Sequence, residues 1–192
     1  MKTILLKGEK RADLGTKTSK ALRNEGKVPC VLYNKETLEH FVVYRQDFKN
    51  LVYTPNTYKV KLEIEGNSFD AILQDIQYHP VSDVIIHADF LRVDNVTPVV
   101  VKLPVQLTGN APGVRAGGKL LQKITKMTVK GLLPSLPDAI EVSIASLELG
   151  QSVKVKDLQV EGFEILDAPE NAIATVKMTR ASIAAAAAAD KK

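Results

Sequence analysis

The chain has 192 residues, 45% of them apolar and 25% charged, with a formal net charge of +4 and a single cysteine, Cys30. That length and mixture suit a folded chain with one full core or two small ones. They exclude a membrane span, which needs about 18 consecutive apolar residues, and "MKTILLKGEKR" has neither the apolar centre nor the cleavage site of a secretory signal, so a cytoplasmic protein is expected. One cysteine excludes an internal disulfide framework and cannot alone build a zinc site; within "VPCVLY" it reads as a small buried apolar residue.

Taken in order, the first half reads as short strands at 3–7, 28–33, 39–44, 57–65, 68–78 and 84–93. A helix interrupts them at "GTKTSKALRNEGKVP", with Thr and Ser near its start, Gly26 as its C-terminal stop and Pro29 beyond. A second, shorter helix lies in "RQDFKNLVY" and places Phe48, Leu51 and Val52 on one side. The hairpin "KLEIEGNSFDAIL" is expected to turn at Gly66-Asn67. In the second half "PVVVKLPVQLTG", "KITKMTVKG" and "AIEVSIASL" alternate as strands, and the closing "IAAAAAADKK" is low-complexity. Nine of the ten aromatic residues fall at or before Phe90, which points to two cores of different composition. The expected fold is mainly β: a small N-terminal β-barrel with short helices over 1–95, an all-β domain over 96–180 and an Ala-rich tail over 181–192.

The charge is polarised. Residues 1–35 hold nine basic and three acidic side chains, residues 36–95 hold five and ten, and no acid lies between Val96 and Pro137. In "VIIHADFLRV", His87 and Asp89 are two apart, so on a strand they share a face, with Ile85 and Leu91 alongside. A hydrolytic triad would need a nucleophile activated by His87, and neither a G-x-S-x-G elbow nor a family-type cysteine signature is present. A metal site would need His79, His87 and Asp89 to meet in one particular register. "GVRAGGKLL" lacks the phosphate-loop spacing, since Leu120 follows Lys119, and reads as a turn in which Gly113, Gly117 and Gly118 take φ above zero. No enzyme, metal, cofactor or small-molecule substrate is expected.

RNA makes better use of these residues. Lys10, Arg11, Lys17, Lys20 and Arg23 lie in a loop and helix from which long cations reach phosphates. Tyr33 can stack or bond to ribose, and a carboxylate in a basic setting suits donors on base edges. The other reading of His87 and Asp89 is that they simply satisfy each other on a half-exposed strand.

"KRADLGTKTSKALRNEGKVPCVLYN" followed by "LQDIQYHPVSDVIIHADFLRV" resembles the bacterial large-subunit ribosomal protein L-twenty-five family, whose members bind 5S ribosomal RNA. "LPVQLTGNAPGVRAGGKL", "LPDAIEVSIASLELGQSVKVKDL" and "TVKM" resemble the extra all-β domain of its longer form, known as general stress protein Ctc. The resemblance implies a structural ribosomal role, with the first domain gripping the loop E region of 5S RNA largely through its minor groove. The family's binding positions are matched by Arg11, Lys20, Arg23, Tyr33, His87 and Asp89. It further implies that His87 and Asp89 face RNA, with Ile85 toward the domain edge and Ala88 and Phe90 in the core. Ala21 and Asn24 stand where relatives often carry arginine, and Cys30 where Ala or Gly is usual. Arg115, Lys119 and Lys123, in the basic strip that runs on to Lys130, are candidates for secondary contacts, with 23S rRNA and neighbouring large-subunit proteins as further partners. The alternative reading is a stress-associated RNA-binding regulator acting off the ribosome.

Overall fold

The computed structural model describes residues 1–34, 37–94, 96–158, 160 and 162–179; the Ala-rich tail at 181–192 lies outside the described residues. The chain forms two compact units, one of 1–101 with 131–138 and the other of 102–130 with the residues from 139 onward.

The first unit follows from alternation. β1 (Thr3–Lys10), β2 (Lys27–Tyr33), β3 (Leu38–Tyr44), β4 (Lys59–Ile64), β5 (Asn67–Tyr78) and β6 (Ile85–Arg92) close into a barrel of order β1-β3-β2-β6-β5-β4. Every second residue points inward. Leu6, Val28, Cys30, Leu32, Phe41, Val43, Val60, Leu62, Ala88 and Phe90 thereby meet in one core. Phe90 sits at its centre, with ring centroids 5.7 Å from Phe41 and 6.3 Å from Phe48. Phe48 ends a 3-10 turn (Arg45–Phe48) that runs into the one-turn helix α2 (Lys49–Val52), so the second expected helix is two short pieces. Phe48 and Leu51 are buried and Val52 packs against the same core, as the sequence spacing predicts. Burial also explains Cys30, 1% exposed, whose thiol is pushed far up by desolvation, with the Asp89 charge adding to the effect.

α1 (Thr16–Asn24) starts where the Thr18 hydroxyl accepts from the Gly15 amide at 3.2 Å and donates to the Gly15 carbonyl at 2.9 Å. It stops, as expected, at Gly26, which takes φ +77°. Two expectations need correction. The β4–β5 turn is Glu65-Gly66 rather than Gly66-Asn67: both residues have positive φ (49° and 85°), and Ile64 pairs with Asn67. Two positive φ values are what the right-handed strand twist selects in a two-residue loop. Ile85 does not share the face of His87. The β5–β6 register slips between Gln77↔His87 and Tyr78↔Ile85, and the unpaired Ile86 turns Ile85 into the core at 1% exposure.

Beyond the barrel, β7 (Val99–Thr108), β9 (Lys126–Gly131), β10 (Ile140–Ser143) and β12 (Phe163–Ile165) form a sheet of order β10-β7-β9-β12, most of it in the second unit. β8 (Lys119–Gln122), β11 (Ser152–Lys154) and β13 (Ala172–Lys177) form another, of order β11-β13-β8. Ala111, Ile144, Leu147, Ala174 and Val176 make a buried cluster here. Pro29 and Pro104 both lie inside strands, each one residue before pairing with a parallel neighbour begins, at Cys30↔Ala88 and Val105↔Ile140. There a missing N–H breaks no bond of the ladder.

"GVRAGGKLL" opens with a one-turn helix, α3 (Pro112–Arg115), rather than a simple turn. Of its glycines only Gly117 has positive φ, +88°. Gly113 and Gly118 serve close packing instead. A Cβ on Gly113 would lie 2.6 Å from the Glu148 carbonyl carbon, and one on Gly118 2.6 Å from the Gly113 carbonyl oxygen.

Candidate nucleic-acid interface

The outer face of the barrel is built by register. β2 runs parallel to β6 with Val31 opposite Asp89 and Tyr33 opposite Leu91. β5 lies on the other side of β6, with Asp75 opposite Asp89 and Gln77 opposite His87. Tyr33, distant in sequence from His87 and Asp89, therefore joins them on the adjacent strand. Asp75 and Gln77 join them and were missed from sequence. Their alternation about the inward Ile76 is legible in "DIQ", but their place opposite Asp89 and His87 depends on the register.

His87 Nδ1 and Asp89 Oδ1 lie 2.7 Å apart, with side-chain exposures of 26% and 34%. Both atoms are shut off from solvent, and among the described residues neither meets hydrogen-bond geometry with any partner, so the contact is a close approach of charge-bearing groups. The close approach turns the two side chains toward one another while leaving part of each outward. Tyr33 has its phenol pKa raised, first by burial and then by the Asp89 and Asp75 charges, so its hydroxyl stays protonated and able to donate.

The expected cations divide into two groups. Arg23 and Arg11 are already engaged: Arg23 Nε donates to the Ile86 carbonyl at 3.0 Å, at the β6 bulge, and thereby ties α1 to the strand of His87 and Asp89. Arg45 in turn donates to the Arg23 carbonyl at 3.1 Å. Arg11 donates to the Asp13 carbonyl at 3.2 Å and the Ser19 hydroxyl at 3.1 Å, bracing the loop before α1. Lys10, Lys17 and Lys20 are exposed and form no ion pair among the described residues. No set of three or more His, Cys, Asp or Glu able to hold a metal occurs among the described residues.

In the second unit Arg115, Lys119, Lys123, Lys126 and Lys130 are all exposed but do not form one strip. Lys119 begins β8 and Lys123 follows its end, whereas Lys126 and Lys130 lie on β9 in the other sheet.

A closed barrel that presents free lysines on one helix, beside a sheet face carrying a tyrosine and a fixed imidazole–carboxylate pair, has the make-up of an RNA-binding structural protein. Comparison with known proteins narrows this. Residues 6–90 match the model of the ribosomal L25p family, and residues 98–180 match that of the C-terminal domain of ribosomal protein TL5. The chain is 46% identical over 198 residues to the large ribosomal subunit protein bL25 of Phocaeicola vulgatus, covering all of both chains. It is 46% identical over 196 residues to that of Bacteroides fragilis, again over both whole chains, and 43% identical to that of Porphyromonas gingivalis over 97% of this chain and 98% of the other. The chain belongs to the ribosomal L25p family. It is a structural constituent of the bacterial ribosome, at work in the cytoplasm, and not an enzyme.

Proposed function

We propose that the barrel unit binds 5S rRNA at its loop E region and holds that RNA in place in the large subunit. The observation that carries this reading is the half-exposed His87–Asp89 pair, held at 2.7 Å on a face shared with Tyr33. A carboxylate repels phosphates, so in an RNA interface it belongs where base amino and imino groups approach. The free cations Lys10, Lys17 and Lys20 supply phosphate neutralisation beside it, and Arg11 and Arg23 position the loop and helix that carry them. On this reading the phosphate contacts set orientation and the β6 row sets specificity. Residues 96–180 serve as a second module, with the Ala-rich 181–192 as its tail.

The test is binding of the full chain and of Asp89→Ala to a loop E duplex and to a duplex of equal length without loop E, at one fixed salt concentration. The expected result is a wild-type preference for loop E that Asp89→Ala loses while retaining general affinity. Loss of one well-placed base contact costs about 1–3 kcal/mol, or roughly five- to 150-fold in preference. Equal wild-type affinity for the two duplexes would overturn the 5S assignment.

A further inference from the structure

The second unit takes the basic strip of the sequence apart and builds a different cluster. β8 is an edge strand that pairs antiparallel with β13, and the register puts Lys119 directly opposite Lys177. Their Cβ atoms are therefore about 5 Å apart. On the preceding rung Leu120 and Val176 pack into the buried cluster, so alternation turns both lysines to the opposite, exposed face. Arg115 ends α3 just before β8. The turn between them is drawn tight by the Gly118 amide, which donates to the Gly113 carbonyl at 2.9 Å. Lys123 stands apart: its amide donates to the Ile173 carbonyl at the far end of β8, about 13 Å from Lys119 at the usual strand rise.

Like charges directly opposite one another destabilise a strand pair. Elsewhere the protein neutralises such cations. Lys154 and Lys156 share Glu170 at 2.7 and 3.1 Å, Lys27 meets Glu9 at 2.7 Å, and Lys59 meets Asp70 at 2.8 Å. Among the described residues no carboxylate pairs with Lys119, Lys177 or Arg115. The rung thus keeps a repulsion that an anion from outside would relieve.

We propose that Lys119 and Lys177, with Arg115 at the adjoining turn, form a phosphate-binding rung for an RNA backbone, a second RNA contact independent of the barrel face. The surroundings favour RNA over an acidic protein. The next residues on the same face are Leu121, Thr175 and Ser152, with no aromatic side chain to anchor a protein interface. An exposed lysine pair neutralises phosphates without reading sequence.

The experiment uses the full chain and a short RNA duplex without an internal loop, so the outcome does not depend on loop E recognition. Binding is measured across a salt series. Lys119→Glu with Lys177→Glu is expected to reduce the log–log salt slope by about 1.5, because each phosphate contact contributes about 0.7–0.9. Lys126→Glu with Lys130→Glu changes the net charge equally and is expected to leave the slope near wild type. Lys119→Arg with Lys177→Arg is expected to retain it. Circular dichroism melting checks folding, and Lys119→Gln with Lys177→Gln, expected to lower the slope equally, replaces the Glu pair if that pair fails to fold. Equal losses from the two charge-reversed pairs, or no loss from either, would overturn the proposal. So would polyglutamate that displaces RNA from wild type at equal charge concentration but not from the Lys119/Lys177 variant, since the rung would then prefer an acidic polypeptide.

Discussion

Gly8 shows how a single atom decides packing in the barrel. It lies in β1, where a strand residue ordinarily carries a side chain, yet a Cβ there would stand 2.7 Å from Cδ2 of Phe41. Phe41 is fully buried against Phe90, so moving its ring would disturb the core. Gly8→Ala is therefore expected to destabilise the barrel by about 1–3 kcal/mol, the range for overpacking a close-packed core, read as a lowered midpoint in urea with unchanged slope. An unchanged midpoint would show that Phe41 can shift. Alternation in "VIIHADFLRV" correctly separates His87 and Asp89 from Ala88 and Phe90. It misplaces Ile85, because a bulge is set by how two strands mismatch and leaves no mark in either alone.

Among elements, the helices and strands of the first unit were legible because their signals are local: Gly26 at a helix end, alternation along β2, β5 and β6. The sequence places the turn one residue late, at Gly66-Asn67 instead of Glu65-Gly66, since which pair takes positive φ depends on the Ile64↔Asn67 register. In the second unit β11 is pinned by charge. Glu170 bonds Lys154 and Lys156 together, and these cations, Lys154 foremost, hold its carboxyl below the ordinary value of 4.5. A folded-state pKa below the unfolded one adds stability that is present above pH 4.5 and lost as pH falls through the folded value. The melting temperature of Glu170→Gln is expected to lie slightly below wild type at pH 7, with the gap closing below pH 4.5. A gap that persists in acid would mean that the carboxylate charge is not its source. The effect is small because all three side chains are well exposed.

For the whole molecule, the uneven distribution of aromatic residues becomes an experimental handle. All five tyrosines, Tyr33, Tyr44, Tyr53, Tyr58 and Tyr78, belong to the first compact unit, while strands are spread over both. Tyrosine fluorescence then follows the barrel alone and far-ultraviolet circular dichroism follows both units. Two separate cores are expected to give non-coincident thermal transitions by the two probes. Coincident transitions would show that the units unfold as one. The order of residues alone specifies the β class, the uneven sharing of aromatics and the candidate residues Tyr33, His87 and Asp89, because alternation, turn residues and charge runs are properties of neighbouring positions. The packed fold alone sets Asp75 and Gln77 on that face, ties Arg23 to the Ile86 carbonyl and Arg11 to the Ser19 hydroxyl, and brings Lys119 opposite Lys177 rather than Lys126. These are matters of strand register and sheet order, set by how remote segments pack around shared cores, and no local pattern encodes them.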